Sequence, residues 1–96
     1  MLRALIIDDS RATRQYLSQL LEQNGWEVVT ETDAERGAAA ALASPPDVVI
    51  SDLWMPGLSG LQLCRLLHAD PLTANVPIVL LSASLDRELV ETWDAR

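Results

Sequence analysis

Acidic and hydroxyl side chains stand at the ends of three apolar segments of this 96-residue sequence. Asp8 and Asp9 follow the first apolar run, Asp52 follows the third, and Ser82 ends the fourth. Two carboxylates ~4 Å apart repel by about 4 kcal/mol at an effective dielectric constant of ~20, so without a cation at least one of them should have a raised pKa. Mg²⁺ prefers hard oxygen ligands and binds through one or two carboxylates together with waters and phosphate oxygens. If the first and third segments are neighbours, these residues predict a magnesium site with a hydroxyl beside it.

The elements that must position these residues alternate between strands and helices. Apolar runs predict strands over 2–7, 26–30, 47–51 and 76–82. Helices are predicted after the N-caps Ser10, Asp33 and Ser59, with a fourth helix beginning over 86–93. Short connections and strands without polar alternation indicate one α/β domain over residues 1–96, a doubly wound parallel sheet covered by helices on both faces. In such a sheet the functional crevice lies outside the carboxyl ends of the strands, where the acidic residues fall.

Helical spacing also predicts which apolar side chains face the core. In the first helix these are Tyr16, Leu17, Leu20 and Leu21, and in the third they are Leu61, Leu63, Leu66 and Leu67. Trp26 fits a core or half-buried position, Cys64 a small core position, and His68 a surface or capping position near a helix end.

The composition excludes several classes of protein. Fourteen acidic residues face seven basic ones, all of them Arg, and the net charge of −7 disfavours binding to nucleic acid. The single Cys64 excludes an internal disulfide and a multi-cysteine zinc cluster, so a metal would have to bind to oxygen. No apolar run approaches the ~20 residues of a membrane span or forms a signal peptide, and we expect a soluble, cytoplasmic protein.

The sequence resembles the receiver domain of two-component response regulators along its whole length. The resemblance rests on Asp8-Asp9 after the first strand, Asp52 followed by Met55-Pro56 and Gly60, and Ser82-Ala83 after the fourth strand. It implies the flavodoxin-like receiver fold with strand order 2-1-3-4, followed in the family by a fifth strand and helix that these 96 residues are too short to include. Those elements would need about 20 to 25 more residues, so the chain is interpreted as the front part of a receiver domain.

The resemblance also implies roles for individual residues. Asp52 would be the phosphoacceptor that takes a phosphoryl group from a phosphohistidine of a sensor histidine kinase or phosphotransfer protein. Asp8, Asp9, Asp52 and the backbone carbonyl of Trp54 would hold Mg²⁺, and Ser82 would hydrogen-bond the phosphoryl group and act as a switch. The domain would be a signalling phosphoprotein that catalyses only its own phosphorylation and dephosphorylation.

Other interpretations of the same residues remain open at this point. Asp8 or Asp9 could simply cap the first helix, Asp52 could be a turn residue, and Ser82 a strand-terminal hydroxyl. The family carries a Lys on its fifth strand and this sequence has none, so the chain could instead be a degenerate receiver that acts only as a protein-interaction or dimerisation module. An open edge at the fourth strand would then pair with a second copy. A fragment of a small Mg²⁺-dependent phosphatase is disfavoured because Trp54 stands where those enzymes usually carry a second Asp.

Overall fold

The computed structural model describes residues 1–82 and the backbone of residues 93–94. The strands are β1 (Arg3–Ile7), β2 (Glu27–Glu31), β3 (Val48–Asp52), β4 (Ile78–Leu81) and β5 (Trp93–Asp94). The helices are α1 (Arg11–Gln23), α2 (Ala34–Ala43) and α3 (Gly60–Ala69). None of these helices is both long enough and apolar enough to cross a membrane.

The sheet has the predicted topology. Its strand order is β2-β1-β3-β4-β5, and β1 to β4 run parallel to one another. The predicted order 2-1-3-4 and the doubly wound α/β class are therefore confirmed. Because β1 and β3 are hydrogen-bonded neighbours, their carboxyl ends open on the same edge of the sheet.

The direction of each crossover determines which face a helix covers. The chain moves to one side of β1 to reach β2 and then to the other side to reach β3 and β4, so right-handed crossovers place α1 on one face and α2 and α3 on the other. The main core cluster lies under α2 and α3 and includes Leu5, Ile7 and Val49. Gly37 of α2 lies so close to Ile7 that a Cβ there would overlap its side chain.

The three predicted N-caps are confirmed. Ser10 and Asp33 accept backbone N–H groups of Thr13 and Arg36 at the beginning of α1 and α2. Ser59 caps α3 in a capping box, because its Oγ accepts from the Gln62 N–H while the Gln62 side chain accepts from the Ser59 N–H. A side-chain oxygen at these positions satisfies N–H groups that would otherwise lack a partner in the first helical turn.

Two predictions about the end of the chain are affected by β5. The predicted helix over 86–93 lies mostly outside the described residues, but Trp93 itself is in a strand, so the helical assignment of Trp93 is wrong. The prediction of an open edge at β4, available to a second copy, is also corrected. Trp93 and Asp94 pair antiparallel with Leu80 and Val79, so that part of the edge already has a backbone partner.

Three of the predicted inward-facing residues are exposed instead. Tyr16 and Leu20 of α1 are 66% and 44% exposed, and Leu66 of α3 is 51% exposed. No residue of α1 is buried against the rest of the described chain, whereas Leu63 and Leu67 of α3 are fully buried. The helical spacing identified the apolar faces, but it could not tell how much of each face another element would cover.

Candidate functional site

Three carboxylates meet where β1 and β3 end. The register pairs Ile7 with Ser51, so the residues that follow each of them, Asp8 and Asp52, lie side by side. Each of Asp8, Asp9 and Asp52 offers a carboxylate oxygen within 4.8 Å of the others. Asp8 is buried, Asp52 is half-buried and Asp9 is exposed. Asp52 is the last residue of β3, whereas the sequence predicted that the strand would end one residue earlier, at Ser51.

Asp8 is held by hydrogen bonds on three sides. Its Oδ1 accepts from the Ser10 N–H at 2.8 Å, and its backbone N–H donates to the Glu31 carbonyl at the end of β2 at 3.2 Å. Its own backbone carbonyl accepts from Nη1 of Arg14 at 2.7 Å. These contacts connect the turn after β1 to both β2 and α1, so its backbone is restrained.

Asp52 is oriented by the loop that follows it. The Trp54 N–H donates to Oδ1 of Asp52 at 3.1 Å, and Ser51 Oγ donates to the Asp52 carbonyl at 3.0 Å. Gly60, the first residue of α3, lies against the same carbonyl, where a Cβ would overlap the oxygen. The close approach of α3 therefore requires glycine at this position.

The carboxyls of Asp8 and Asp52 both have raised pKa values. Burial is the largest cause for each, and neighbouring carboxylates add to it: Asp52 and Asp9 raise the pKa of Asp8, and Asp9 raises that of Asp52. The backbone N–H of Ser10 and the charge of Arg14 act in the opposite direction on the pKa of Asp8. The expected rise is confirmed, with desolvation contributing more than repulsion.

The donor set fits Mg²⁺. An octahedral magnesium ion with oxygen ligands at ~2.1 Å separates opposite ligands by at most about 4.2 Å, slightly less than the 4.8 Å within which the three oxygens lie. A shift of about half an ångström, or a water in place of one direct bond, brings such a set into coordination distance. Asp9, being exposed, is the carboxylate with most freedom to make that shift.

Ser82 follows β4 at the same edge of the sheet. Asp52 pairs with Leu81 in the β3–β4 register, which places Ser82 one residue beyond the partner of Asp52. Ser82 is only 5% exposed, and its Oγ has no hydrogen-bond partner among the described residues. A buried hydroxyl without a partner is costly, so this atom is suited to an incoming oxygen. Ala83 lies outside the described residues.

Two other residues with chemical potential lie apart from this cluster. Cys64 is buried in α3 and its Sγ lies 3.8 Å from Nδ1 of half-buried His68, one turn later. The core position predicted for Cys64 is confirmed, and burial raises the pKa of its thiol. Asp8, Asp9 and Asp52 are the one group of potential metal ligands in the described part of the chain, and neither Cys64 nor His68 belongs to it.

Arg14 was not among the site residues predicted from the sequence. Side chains in a helix tilt towards its N-terminus, so an Arg at the fourth residue of α1 reaches back over the turn that contains Asp8. The combination of an acidic turn with an Arg in the first turn and a half of the following helix was the available signal.

Comparison with known proteins identifies the family. The sequence model of the response regulator receiver domain matches residues 4–93. The chain belongs to the response regulator receiver family. The receiver is 36% identical over 96 residues to protein PilH of Pseudomonas aeruginosa, a match that covers the whole chain and 78% of PilH. It is 37% identical over 81 residues to response regulator PleD of Caulobacter vibrioides, covering 84% of the chain but 18% of PleD.

Solved receiver structures have the same fold. Chemotaxis protein CheY4 of Vibrio cholerae superimposes with a TM-score of 0.83 at 32% identity, covering 92% of this receiver and 73% of that chain. Response regulator TrrA of Thermotoga maritima, solved in complex with Mg²⁺ and BeF, gives a TM-score of 0.82 at 30% identity, covering 88% and 72%. The match to the phosphate regulon transcriptional regulatory protein PhoB of Pseudomonas aeruginosa covers 34% of that protein, so the similar region occurs in relatives of different length.

Proposed function

We propose that this receiver is a phosphoacceptor that takes a phosphoryl group onto Asp52 from a phosphohistidine of a sensor histidine kinase or phosphotransfer protein. The observation that supports it most is the meeting of three carboxylate oxygens within 4.8 Å at the carboxyl ends of β1 and β3. Structural needs do not explain such a cluster, because the burial and repulsion that raise the pKa values of Asp8 and Asp52 oppose folding.

Asp52 performs the chemistry in this proposal. A carboxylate oxygen of Asp52 forms a bond to phosphorus as the bond from phosphorus to the histidine nitrogen breaks, and the nitrogen keeps the electron pair of the broken bond. The product is an acyl phosphate on Asp52 and a free histidine on the donor. The Trp54 N–H, which donates to Oδ1, holds the Asp52 carboxylate in one orientation during the attack.

Asp8, Asp9, Asp52 and the backbone carbonyl of Trp54 would hold Mg²⁺. When bound, the ion neutralises charge on the transferring phosphoryl group, the main source of catalysis in such transfers. Asp8 serves as the restrained ligand, because its side chain and backbone are both hydrogen-bonded, and Asp9 as the adjustable one.

Ser82 supplies a hydrogen bond to a phosphoryl oxygen. Its buried Oγ has no hydrogen-bond partner among residues 1–82 and gains an acceptor in the phosphoryl group, so phosphorylation favours any arrangement that brings Ser82 inward. The receiver catalyses only its own phosphorylation and dephosphorylation in this proposal, and it works in the cytoplasm.

The test combines a small phosphodonor with intact-mass measurement. Acetyl phosphate and Mg²⁺ should add the mass of one phosphoryl group to the wild-type chain and none to Asp52→Asn. Asp47→Asn is the matched control, because Asp47 immediately precedes the opposite end of the same strand and its Oδ2 accepts the Arg3 N–H at 2.7 Å, a bond that an amide oxygen can keep. Absence of phosphorylation in the wild type, or equal phosphorylation of Asp52→Asn, contradicts the proposal and favours a receiver that acts only in protein interactions.

A further inference from the structure

Arg14 connects α1 to the acidic turn through the backbone instead of through a carboxylate. Its Nη1 donates to the Asp8 carbonyl at 2.7 Å, in a half-buried position. No side-chain ion pair accompanies this bond among the described residues, where the salt bridges join Arg3 to Glu27 and Arg36 to Asp33. The contact therefore fixes where the chain runs after β1 and leaves the carboxylates of the cluster free for a metal.

The geometry gives this bond a direct effect on Asp8. The Asp8 side chain is fixed by the Ser10 N–H, and Ser10 in turn caps α1 and accepts the Arg14 N–H through its carbonyl at 3.0 Å. Arg14 thus contacts the turn at two points, one by its backbone and one by its guanidinium. Loss of the guanidinium frees the peptide unit that follows Asp8 and lets both Asp8 and Asp9 change direction.

The charge of Arg14 has the opposite consequence for metal binding. A guanidinium beside the cluster repels an incoming divalent cation, so removing the charge alone would strengthen the binding of Mg²⁺. Removing the hydrogen bond would weaken binding, since residues that orient metal ligands typically contribute about 10- to 100-fold to affinity. The two effects have different signs, so a measurement of affinity can separate them.

We propose that Arg14 is a positioning residue of the magnesium site, and that its hold on the Asp8 carbonyl outweighs the repulsion of its charge. The inference rests on the proposed function, because it assumes that the acidic cluster binds Mg²⁺. Substitution of Arg14 should then weaken metal binding although it removes a positive charge from the neighbourhood of the metal.

Metal affinity of the folded chain provides the test. Mn²⁺ binding is followed through the electron paramagnetic resonance signal of the free ion, with Mg²⁺ as competitor, after circular dichroism has established that each variant is folded. Arg14→Met keeps an apolar side chain of similar length but loses both donor and charge, and about tenfold weaker binding is expected. Arg14→Lys keeps a charged donor and should recover part of that loss.

Arg11→Met is the matched control. Arg11 lies one turn earlier on the same helix, is exposed and makes no side-chain hydrogen bond to the described residues. Its substitution therefore makes the same change in net charge without removing a hydrogen bond to those residues. Metal affinity in Arg11→Met should stay the same or rise slightly. Equal weakening in Arg11→Met and Arg14→Met would overturn the proposal, because the effect would then not depend on the contact with Asp8.

The remaining outcomes are also decisive. Wild-type affinity in Arg14→Met, or no recovery in Arg14→Lys, overturns the positioning role and leaves the proposed function intact. If Arg14→Met does not fold, Arg14→Ala, which also lacks both the donor and the charge, replaces it, and wild-type affinity in that variant refutes the role equally. If the wild type binds neither ion, the proposed function fails together with this inference.

Discussion

Replacing Asp8 by Asn should stabilise the metal-free protein. The side chain keeps its shape, and an amide oxygen can still accept the Ser10 N–H, so the change removes mainly the negative charge. That charge is buried beside two other carboxylates, and both burial and their charges raise the pKa of Asp8. A group whose charged form is disfavoured in the folded state opposes folding at neutral pH, and neutralising it reverses the effect.

The size of the effect follows from the separation of the carboxylates. Two charges 4.8 Å apart, the outer limit for this cluster, repel by about 3.5 kcal/mol at a dielectric constant of ~20 and by about 0.9 kcal/mol at that of water. Exposed Asp9 lies near the lower value, half-buried Asp52 lies between the two, and Arg14 offsets part of the sum. A net gain of about 1 to 2 kcal/mol is expected, equivalent to about 5 to 15 °C in Tm.

Urea denaturation in the presence of EDTA and of saturating Mg²⁺ measures this gain. Asp70→Asn is the matched control. Asp70 Oδ1 accepts the N–H of Leu72, two residues later, at 2.9 Å, just as Asp8 Oδ1 accepts that of Ser10, but Asp70 lies outside the acidic cluster. A negative charge at the C-terminal end of a helix is unfavourable, so removing that of Asp70 should raise the free energy of unfolding by only about 0.5 kcal/mol. Mg²⁺ should stabilise the wild type and Asp70→Asn, but Asp8→Asn much less.

Two results would refute the reasoning. Lower stability of Asp8→Asn than of the wild type in EDTA would mean that the Asp8 carboxylate is a net structural support, and that repulsion and desolvation do not dominate. Equal stabilisation of Asp8→Asn and the wild type by Mg²⁺ would mean that Asp8 does not bind the ion.

Three further predictions concern the same edge of the sheet. Without metal, the difference in the free energy of unfolding between Asp8→Asn and the wild type should shrink as pH falls towards 3.8. The raised pKa of Asp8 makes the folded wild type take up a proton at a higher pH than the unfolded chain does. Urea denaturation at several pH values tests this, and a constant difference contradicts it. Gly60→Ala should lower the free energy of unfolding, measured by the same method, by more than about 2 kcal/mol, because the added Cβ would overlap the Asp52 carbonyl. A decrease below about 1 kcal/mol would show that α3 can move away. Trp54→Ala should shorten the lifetime of the phosphorylated form, followed by intact mass. Trp54 is 55% exposed and its backbone N–H donates to Asp52, and we expect its side chain to shield the acyl phosphate from water. An unchanged lifetime would assign Trp54 to loop packing.

More of the site than of the exposed surface could be predicted from the sequence. Asp8 and Ser82 follow strands, and Asp52 ends one. Because parallel strands open their carboxyl ends on one edge of the sheet whatever the details of packing, the sequence was enough to predict that these residues lie at the same edge. The caps at Ser10 and Ser59 were equally predictable, since capping depends on residues within one helical turn.

Features that depend on contacts between distant elements were not predictable. Tyr16 and Leu20 have the spacing of a core face, but their exposure depends on what lies over α1, and helical periodicity says nothing about that. The pairing of Trp93 with Leu80 depends on a return of the chain to β4, whereas the local pattern favoured a helix. The contact of Arg14 is local, only six residues along the chain, and was missed for another reason: an Arg after an acidic turn indicates proximity, but no side-chain motif specifies a backbone carbonyl as its partner.

The two glycines that bring α2 and α3 against the sheet have a consequence for protein engineering. Gly37 packs on Ile7, the residue before Asp8, and Gly60 packs on the carbonyl of Asp52. The helices thus approach the sheet closely beside the two acidic strand ends. Transplanting the three aspartates into another α/β scaffold would therefore fail to reproduce their separation unless both glycines moved with them, since a methyl group at either position would shift the backbone or side chains on which the carboxylates depend.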